Sequence, residues 1–292
     1  GPGLTGRPSM TLCRLHGACR GKILAGMAAA NAEARLETVV DARGVATVAL
    51  ARPDKHNAMD AAMIDALAAL FAALGADASV RAIVLTGQGA SFCAGGDLGW
   101  MKTQMEADAE ARAAAARALA GMLGVVDACP KPVIGRVQGQ AFGGGLGLVS
   151  VCDVAVGVDT ARFGLTETRL GLIPATIGPY VVARMGGARA RRVFMSSRVF
   201  GADEAVALGL LARAVPAEAL DAAVEAEVAP YLACAPGAVA EAKALARALG
   251  GAPGQGDVEA SVAALVRRWE SAEAEAGIAA FFARRAPDWS AG

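Results

Sequence analysis

Short apolar runs separated by glycine-rich turns fill the front of the chain, and helical spacing takes over in the last quarter. Residues 36–50 read as two short strands around the turn Asp41-Ala42-Arg43-Gly44. The polar segment Arg52-Pro53-Asp54-Lys55-His56-Asn57 follows. Asp60 is spaced to cap a helix on which Met63, Leu67, Leu70, Phe71 and Leu74 share one face and which Gly75 closes. Residues 80–86 form a compact apolar strand. After the turn Gly87-Gln88-Gly89-Ala90-Ser91, the run Phe92-Cys93-Ala94-Gly95-Gly96-Asp97-Leu98 opens an alanine-rich helix to about Ala128, which Pro130 and Pro132 end. Residues 133–137 are a further buried strand that runs into a second glycine turn, Gly143-Gly144-Gly145. Another strand centres on residues 154–156, and Phe163-Gly164-Leu165-Thr166-Glu167 leads to a proline-marked loop at Ile173-Pro174. Beyond Pro216 the pattern is helical, broken at Pro236-Gly237 and at residues 250–256.

This order predicts an α/β core over residues 34–216 and a helical C-terminal domain over 217–292. Residues 1–33 read as a leader: Gly1-Pro2-Gly3 looks like an expression scar, no acid occurs before Glu33, and Met27 is a plausible start.

Composition narrows the function classes. Hydrophobic residues make up 55% of the 292 and charged residues 19%, so the chain is globular rather than disordered. Formal net charge is zero and no basic stripe stands out, which argues against a nucleic-acid binder. The cluster Arg189, Arg191, Arg192 reads as a solvated helix face. Little net charge with high apolar content favours self-association. Six scattered cysteines without a C-x-x-C pair and only two histidines, His16 and His56, argue against a metal site and for a reducing, cytoplasmic setting. No apolar run is long enough to span a membrane.

The chemistry is expected where the two glycine turns follow strands and open helices. Glycine lets a backbone approach a ligand closely, and the first N–H groups of a helix are unpaired at the positive end of its dipole. Two such ends converging would bind a developing oxyanion. Each turn alone is a weak signal, since glycine there also permits tight helix–strand packing. Neither fits a nucleotide P-loop or a dinucleotide fingerprint.

The order of segments is more specific. Arg52-Pro53-Asp54-Lys55-His56-Asn57-Ala58-Met59, Phe92-Cys93-Ala94-Gly95-Gly96-Asp97-Leu98 and Lys131-Pro132-Val133-Ile134 closely resemble the crotonase (enoyl-CoA hydratase/isomerase) family. So do Gly139-Gln140-Ala141-Phe142-Gly143-Gly144-Gly145, Cys152-Asp153, Phe163 to Pro174, and Gly277-Ile278-Ala279-Ala280-Phe281. The resemblance implies a crotonase-like spiral of ββα units with a helical trimerisation domain, assembled as a trimer or hexamer. It implies no cofactor beyond the coenzyme A of an acyl-CoA substrate, whose thioester oxygen would lie between the N–H groups of Ala94 and Gly144. It also implies coenzyme A contacts at Lys55, His56, Ala58, Asp97 and Leu98, with Phe281 and Arg284 able to reach a neighbouring subunit's ligand. Asp97 is equally spaced to cap the following helix.

Glu167 falls on the second of two catalytic glutamates in the family's hydratases; the first position, three beyond Gly144, is Gly147. Three accounts stay open: a single-carboxylate isomerase moving a double bond from C3 to C2, a second acid from elsewhere or from the substrate, or hydration through Glu167 alone. The run Thr166 to Tyr180 resembles bacterial methylglutaconyl-CoA hydratases of leucine breakdown, whose substrate carries a distal carboxylate. On that reading Gly147 opens space and removes a repelling charge, and Arg169 is either a counter-ion for the substrate or a structural ion-pair partner. Trp100 and Met101 read as core or as acyl pocket. Cys93 has no base to activate it. An RNA-binding relative on the same fold and an inactive homologue are the readings from other classes.

Overall fold

The computed structural model describes residues 35–290; the leader reading, with Cys13, His16, Cys19 and Met27, lies outside them. The hairpin of β1 (Leu36–Val40) and β2 (Val45–Leu50) is antiparallel. Strands β3 (Ala82–Gly87), β5 (Val133–Val137), β7 (Val154–Val158) and β10 (Arg213–Val215) continue it in parallel, giving one sheet ordered β1-β2-β3-β5-β7-β10. β2 and β3 are buried along their whole length, which is why they read as near-continuous apolar runs rather than alternating ones. A second sheet of three-residue strands, β4 (Ser91–Cys93), β6 (Gln140–Phe142), β8 (Arg162–Gly164) and β9 (Val199–Gly201), carries the glycine turns. Three residues are too few to show a period, so the sequence reads them as turns.

Helix α1 (Ala61–Ala76) starts where expected: the Asp60 carboxylate accepts from Met63 N at 3.0 Å, and Met63, Leu67, Leu70, Phe71 and Leu74 are buried. The single alanine-rich helix expected from residue 98 to 128 is two, α2 (Leu98–Glu106) and α3 (Ala109–Ala128). Asp108 accepts from Ala111 N at 2.8 Å and starts the second. Leu98–Glu106 and the alanine-rich Ala109–Ala128 are both built of residues a helix tolerates, so propensity alone does not reveal the break. The short α4 (Gly144–Ser150) follows β6, and α5 (Gly178–Met185), α6 (Gly187–Phe194) and α7 (Ala202–Ala207) complete the central region.

Four longer helices end the chain: α8 (Leu220–Leu232), α9 (Pro236–Leu249), α10 (Gln255–Trp269) and α11 (Ala272–Phe282). α8 sinks Leu220, Ala223, Val224 and Val228 into the main core, against β5 and β7. α10 lies along α3, and α11 packs on the 3-10 turn Glu167–Leu170. Leu172, Ala274 and Ile278 form a small second core there, and the Arg268 guanidinium donates to the Gly171 carbonyl at 2.6 and 2.9 Å. The helical tail therefore closes one side of the cavity described next.

Candidate active site

The two glycine turns touch. At the end of β4, Ala94 N–H donates to the His56 carbonyl at 2.9 Å. Gly95 then takes φ +97°, a conformation that disfavours a side chain, and the strand turns over. Met59 N–H donates to Gly95 O at 2.7 Å and Asp97 N–H donates to Met59 O at 2.8 Å. In that parallel bridge the N–H and C=O of Gly96 face away from Met59. Gly96 N–H makes no backbone hydrogen bond among the described residues. The pairing expected from the sequence is corrected here: the Ala94 N–H is occupied by His56, and the free donor at this turn belongs to Gly96.

The second turn supplies the other donor. Gly143, at φ 48° and ψ −118°, gives its N–H to Gly164 O at 3.0 Å, and its own carbonyl accepts from Gly147 N at 3.0 Å. Gly144 is the first residue of α4, so its N–H is left over, as in the first turn of any helix. A Cβ on Gly95 would stand 3.6 Å from Gly144 N, and one on Gly144 would stand 2.5 Å from Met59 Cε. Side chains at either position would fill the space between the turns.

Glu167 hangs over this point. A Cβ on Gly143 would be 3.3 Å from Glu167 Oε1. The other oxygen, Oε2, is sealed from solvent and has no hydrogen-bond partner. Burial favours the neutral form and, against the opposing hydrogen bond from its own backbone, raises the carboxyl from its ordinary 4.5 to about 7. Near neutral pH the group therefore both takes and gives a proton readily.

These groups open on a cavity of about 490 Å³. Apolar side chains line most of it, including Met59, Trp100, Met101, Leu119, Ile177 and Trp269. Two N–H donors, one poised carboxyl and an apolar slot suit a substrate with a polarisable carbonyl beside an apolar chain.

Comparison with known proteins agrees with that chemistry. Residues 41–292 match the enoyl-CoA hydratase/isomerase family. The chain belongs to that family. It is 38% identical over 210 residues to the enoyl-CoA hydratase ACTT6 of Alternaria alternata, covering 72% of this chain and 68% of the relative. A crystal structure of an enoyl-CoA hydratase from Shewanella pealeana is 34% identical, with a TM-score of 0.74, over 90% of this chain and 99% of that one. Pseudomonas aeruginosa AtuE is 37% identical, with a TM-score of 0.72, over 88% and 99%.

As a member of the enoyl-CoA hydratase/isomerase family, the chain departs from the two-glutamate pattern in a way the structure explains. Gly147 does not open space. A Cβ there would lie 2.6 Å from Ile177 Cγ2 and 3.4 Å from Leu123 Cδ1, so Ile177 already fills the position and itself lines the cavity. The expected open pocket at 147 is corrected to an apolar plug.

The other expected residues divide. Leu98, Trp100, Met101, Glu167, Arg169 and Phe281 line the cavity; Lys55, His56, Ala58 and Arg284 do not. Lys55 and His56 are exposed in the loop whose carbonyl holds Ala94, and His56 Nδ1 lies 2.9 Å from Ser91 Oγ. Asp97 caps α2: Oδ1 accepts from Gly99 N at 2.8 Å and Trp100 N at 3.2 Å, while Oδ2 faces Arg52 at 3.2 Å. Phe281 lines the cavity of its own chain, because α11 packs beside Glu167. Cys93 is buried and its thiol is pushed up to about 12, which removes it as a nucleophile.

Three polar groups of the lining went unread in the sequence. Arg112 donates to the Gln104 and Met105 carbonyls at the end of α2 and stacks on Trp269. Gln104 and Thr176 are buried, yet their side chains make no hydrogen bond within the described residues. Lone polar residues in apolar or alanine-rich stretches carry no sequence signal of this kind. Gly96 did leave one: of the two glycines, it is the residue directly before the capping Asp97.

Proposed function

We propose that the chain adds water to the double bond of a 2-enoyl-CoA. The observation that carries the reading is the Glu167 carboxyl, its Oε2 buried and unpartnered, beside the free N–H groups of Gly96 and Gly144. A thioester oxygen between those two donors would gain most as charge moves onto it, when hydroxide adds at C3 and an enolate forms across C2. Glu167, ionised, takes the proton of the attacking water and returns it to C2. The atoms balance: one water is consumed, its OH ends on C3 and its H on C2. Coenzyme A enters only as part of the substrate, across the open side of the cavity near Leu98.

The acyl group is proposed to carry a distal carboxylate, as in 3-methylglutaconyl-CoA. Arg169 supports this. It lines the cavity two residues from Glu167, and its guanidinium has no hydrogen-bond or ion-pair partner among the described residues. A cation among the lining residues without a protein anion is suited to a substrate anion. Self-association is part of the same proposal: α9 buries none of its residues and exposes Leu245 and Leu249. Sedimentation velocity tests that point.

Loss of the conjugated enoyl absorbance on mixing with crotonyl-CoA or 3-methylglutaconyl-CoA tests hydration directly. A gain of that absorbance from a 3-enoyl-CoA, with no loss from the conjugated esters, would instead establish the isomerase. Arg169→Met should lower kcat/KM roughly 10- to 100-fold for the carboxylated ester and leave crotonyl-CoA within about twofold. Equal losses on both esters would remove the counter-ion role.

A further inference from the structure

We infer that the Thr176 hydroxyl holds the reacting water in the place left by the missing second carboxylate. The inference rests on the hydratase reading above. Gly143 and Gly147 are one turn apart, joined by the hydrogen bond from Gly147 N to Gly143 O at 3.0 Å. Glu167 lies against Gly143, and Ile177 lies against Gly147. Gly144, whose N–H is free, directly follows Gly143 in the same turn. Thr176 precedes Ile177 in the same loop and lines the same cavity.

The threonine is 7% exposed and its hydroxyl has no hydrogen-bond partner within the described residues. Its oxygen is not among the buried unpartnered atoms sealed from solvent, so it is open to the cavity. A buried hydroxyl left without a partner is unfavourable unless something in the cavity satisfies it. The neighbouring side chain cannot: Ile177 is apolar and plugs the space at Gly147. A water molecule can. Of its two hydrogens, one goes to the Glu167 carboxylate and is transferred. The other is accepted by Thr176 Oγ1 and stays with the oxygen. That division leaves a lone pair for C3 and fixes the face from which the hydroxyl arrives. A single carboxylate then suffices, because Thr176 orients the water while Glu167 alone moves the proton.

The test compares two reactions of the full chain, wild type and Thr176→Val. One is hydration of the best 2-enoyl-CoA. The other is exchange of the C2 hydrogen of butyryl-CoA with deuterated solvent, followed by proton NMR, which needs the N–H donors and Glu167 but no attacking water. The ratio of hydration to exchange should fall roughly 10- to 100-fold in Thr176→Val, through kcat rather than KM. Thr176→Ser, which keeps the hydroxyl, should recover most of the loss. Thermal melting should show Thr176→Val at least as stable as wild type, since an unpartnered hydroxyl has been removed.

Hydration and exchange falling together would mean a distorted site and would overturn the inference. So would an unchanged hydration rate in Thr176→Val while wild type hydrates well. If wild type exchanges the C2 hydrogen but hydrates nothing, the hydratase reading itself has failed, and the water-holding role falls with it.

Discussion

The two flanks of α4's first turn are a few ångströms apart and chemically opposite. Over Gly143 sits a carboxyl, Glu167; over Gly147, one turn on, sits a methyl group of Ile177. The difference bears on how one acid does the work of two. A carboxylate at 147 would repel the charge on Glu167 and compete for the same proton. Ile177 instead gives that side of the cavity an apolar wall. Burial outweighs the opposing backbone hydrogen bond and brings Glu167 to about 7, the range in which a single group can both accept and donate.

The largest effect should come from the polar flank. Glu167→Gln keeps the shape and removes the titration, and hydration should fall about 10²- to 10⁴-fold. In wild type, kcat/KM should rise with pH and level off above about 7, since hydration starts from ionised Glu167. Stability should follow the same titration. The folded state holds the Glu167 proton more tightly than the unfolded chain, so its contribution is fully present below about pH 4.5 and is lost as pH rises through about 7. Glu167→Gln should therefore gain on wild type across that window, reaching on the order of 3 kcal/mol above it. Chemical denaturation of both proteins at pH 4, 6 and 8 measures this. A difference that does not change with pH would mean that Glu167 is not held in a dry site.

The comparison presumes that the turn carrying Gly96 is rigid, and Arg52 is the residue that makes it so. Its guanidinium, nearly sealed from solvent, pairs with Asp60 at 3.0 Å and Asp97 at 3.2 Å and donates to Ala58 O at 2.8 Å. Those two aspartates cap α1 and α2. One cation thus ties the starts of both helices to the loop that holds Ala94. Arg52→Met should cost about 2–4 kcal/mol, somewhat less than a fully buried pair because Asp60 is partly open. It should also lower kcat, since Asp97 follows Gly96 directly. Urea denaturation and single-turnover rates would separate the two effects; unchanged stability would show the pairs to be incidental.

What the sequence made legible followed from local patterns. The Asp60 cap, the face of α1 and the buried strand at 133–137 can be read because capping and burial leave residue types at fixed spacing. The glycine turns were legible on similar grounds, whereas Glu167 stood out only through the order of motifs that resembles the family. Identity of the free N–H was not, because it depends on which way each peptide faces. Ala94 and Gly96 lie two residues apart, and only the bridge to Met59 and the bond to His56 distinguish them. Gly147 was misread for a related reason. A glycine reports that its own side chain is absent, but not which neighbour has moved into the space.

That neighbour supplies the smallest prediction. Gly147→Ala introduces a Cβ 2.6 Å from Ile177 Cγ2 and 3.1 Å from its Cβ, too close to be absorbed without movement. Overpacking of this kind costs about 1–3 kcal/mol. Ile177→Ala should itself destabilise by leaving a cavity. If the two side chains compete for one space, the double variant should be more stable than the sum of the single losses predicts, and denaturation of all four proteins in a mutant cycle measures the surplus. Additive losses would mean that Ile177 does not occupy the position at 147. A clear surplus would open a sharper experiment on the same background, because Gly147→Glu with Ile177→Ala restores a second carboxylate beside Glu167. Like-charge repulsion should then move the pH midpoint of kcat/KM above that of wild type, turning the apolar flank into a polar one and measuring what Ile177 contributes.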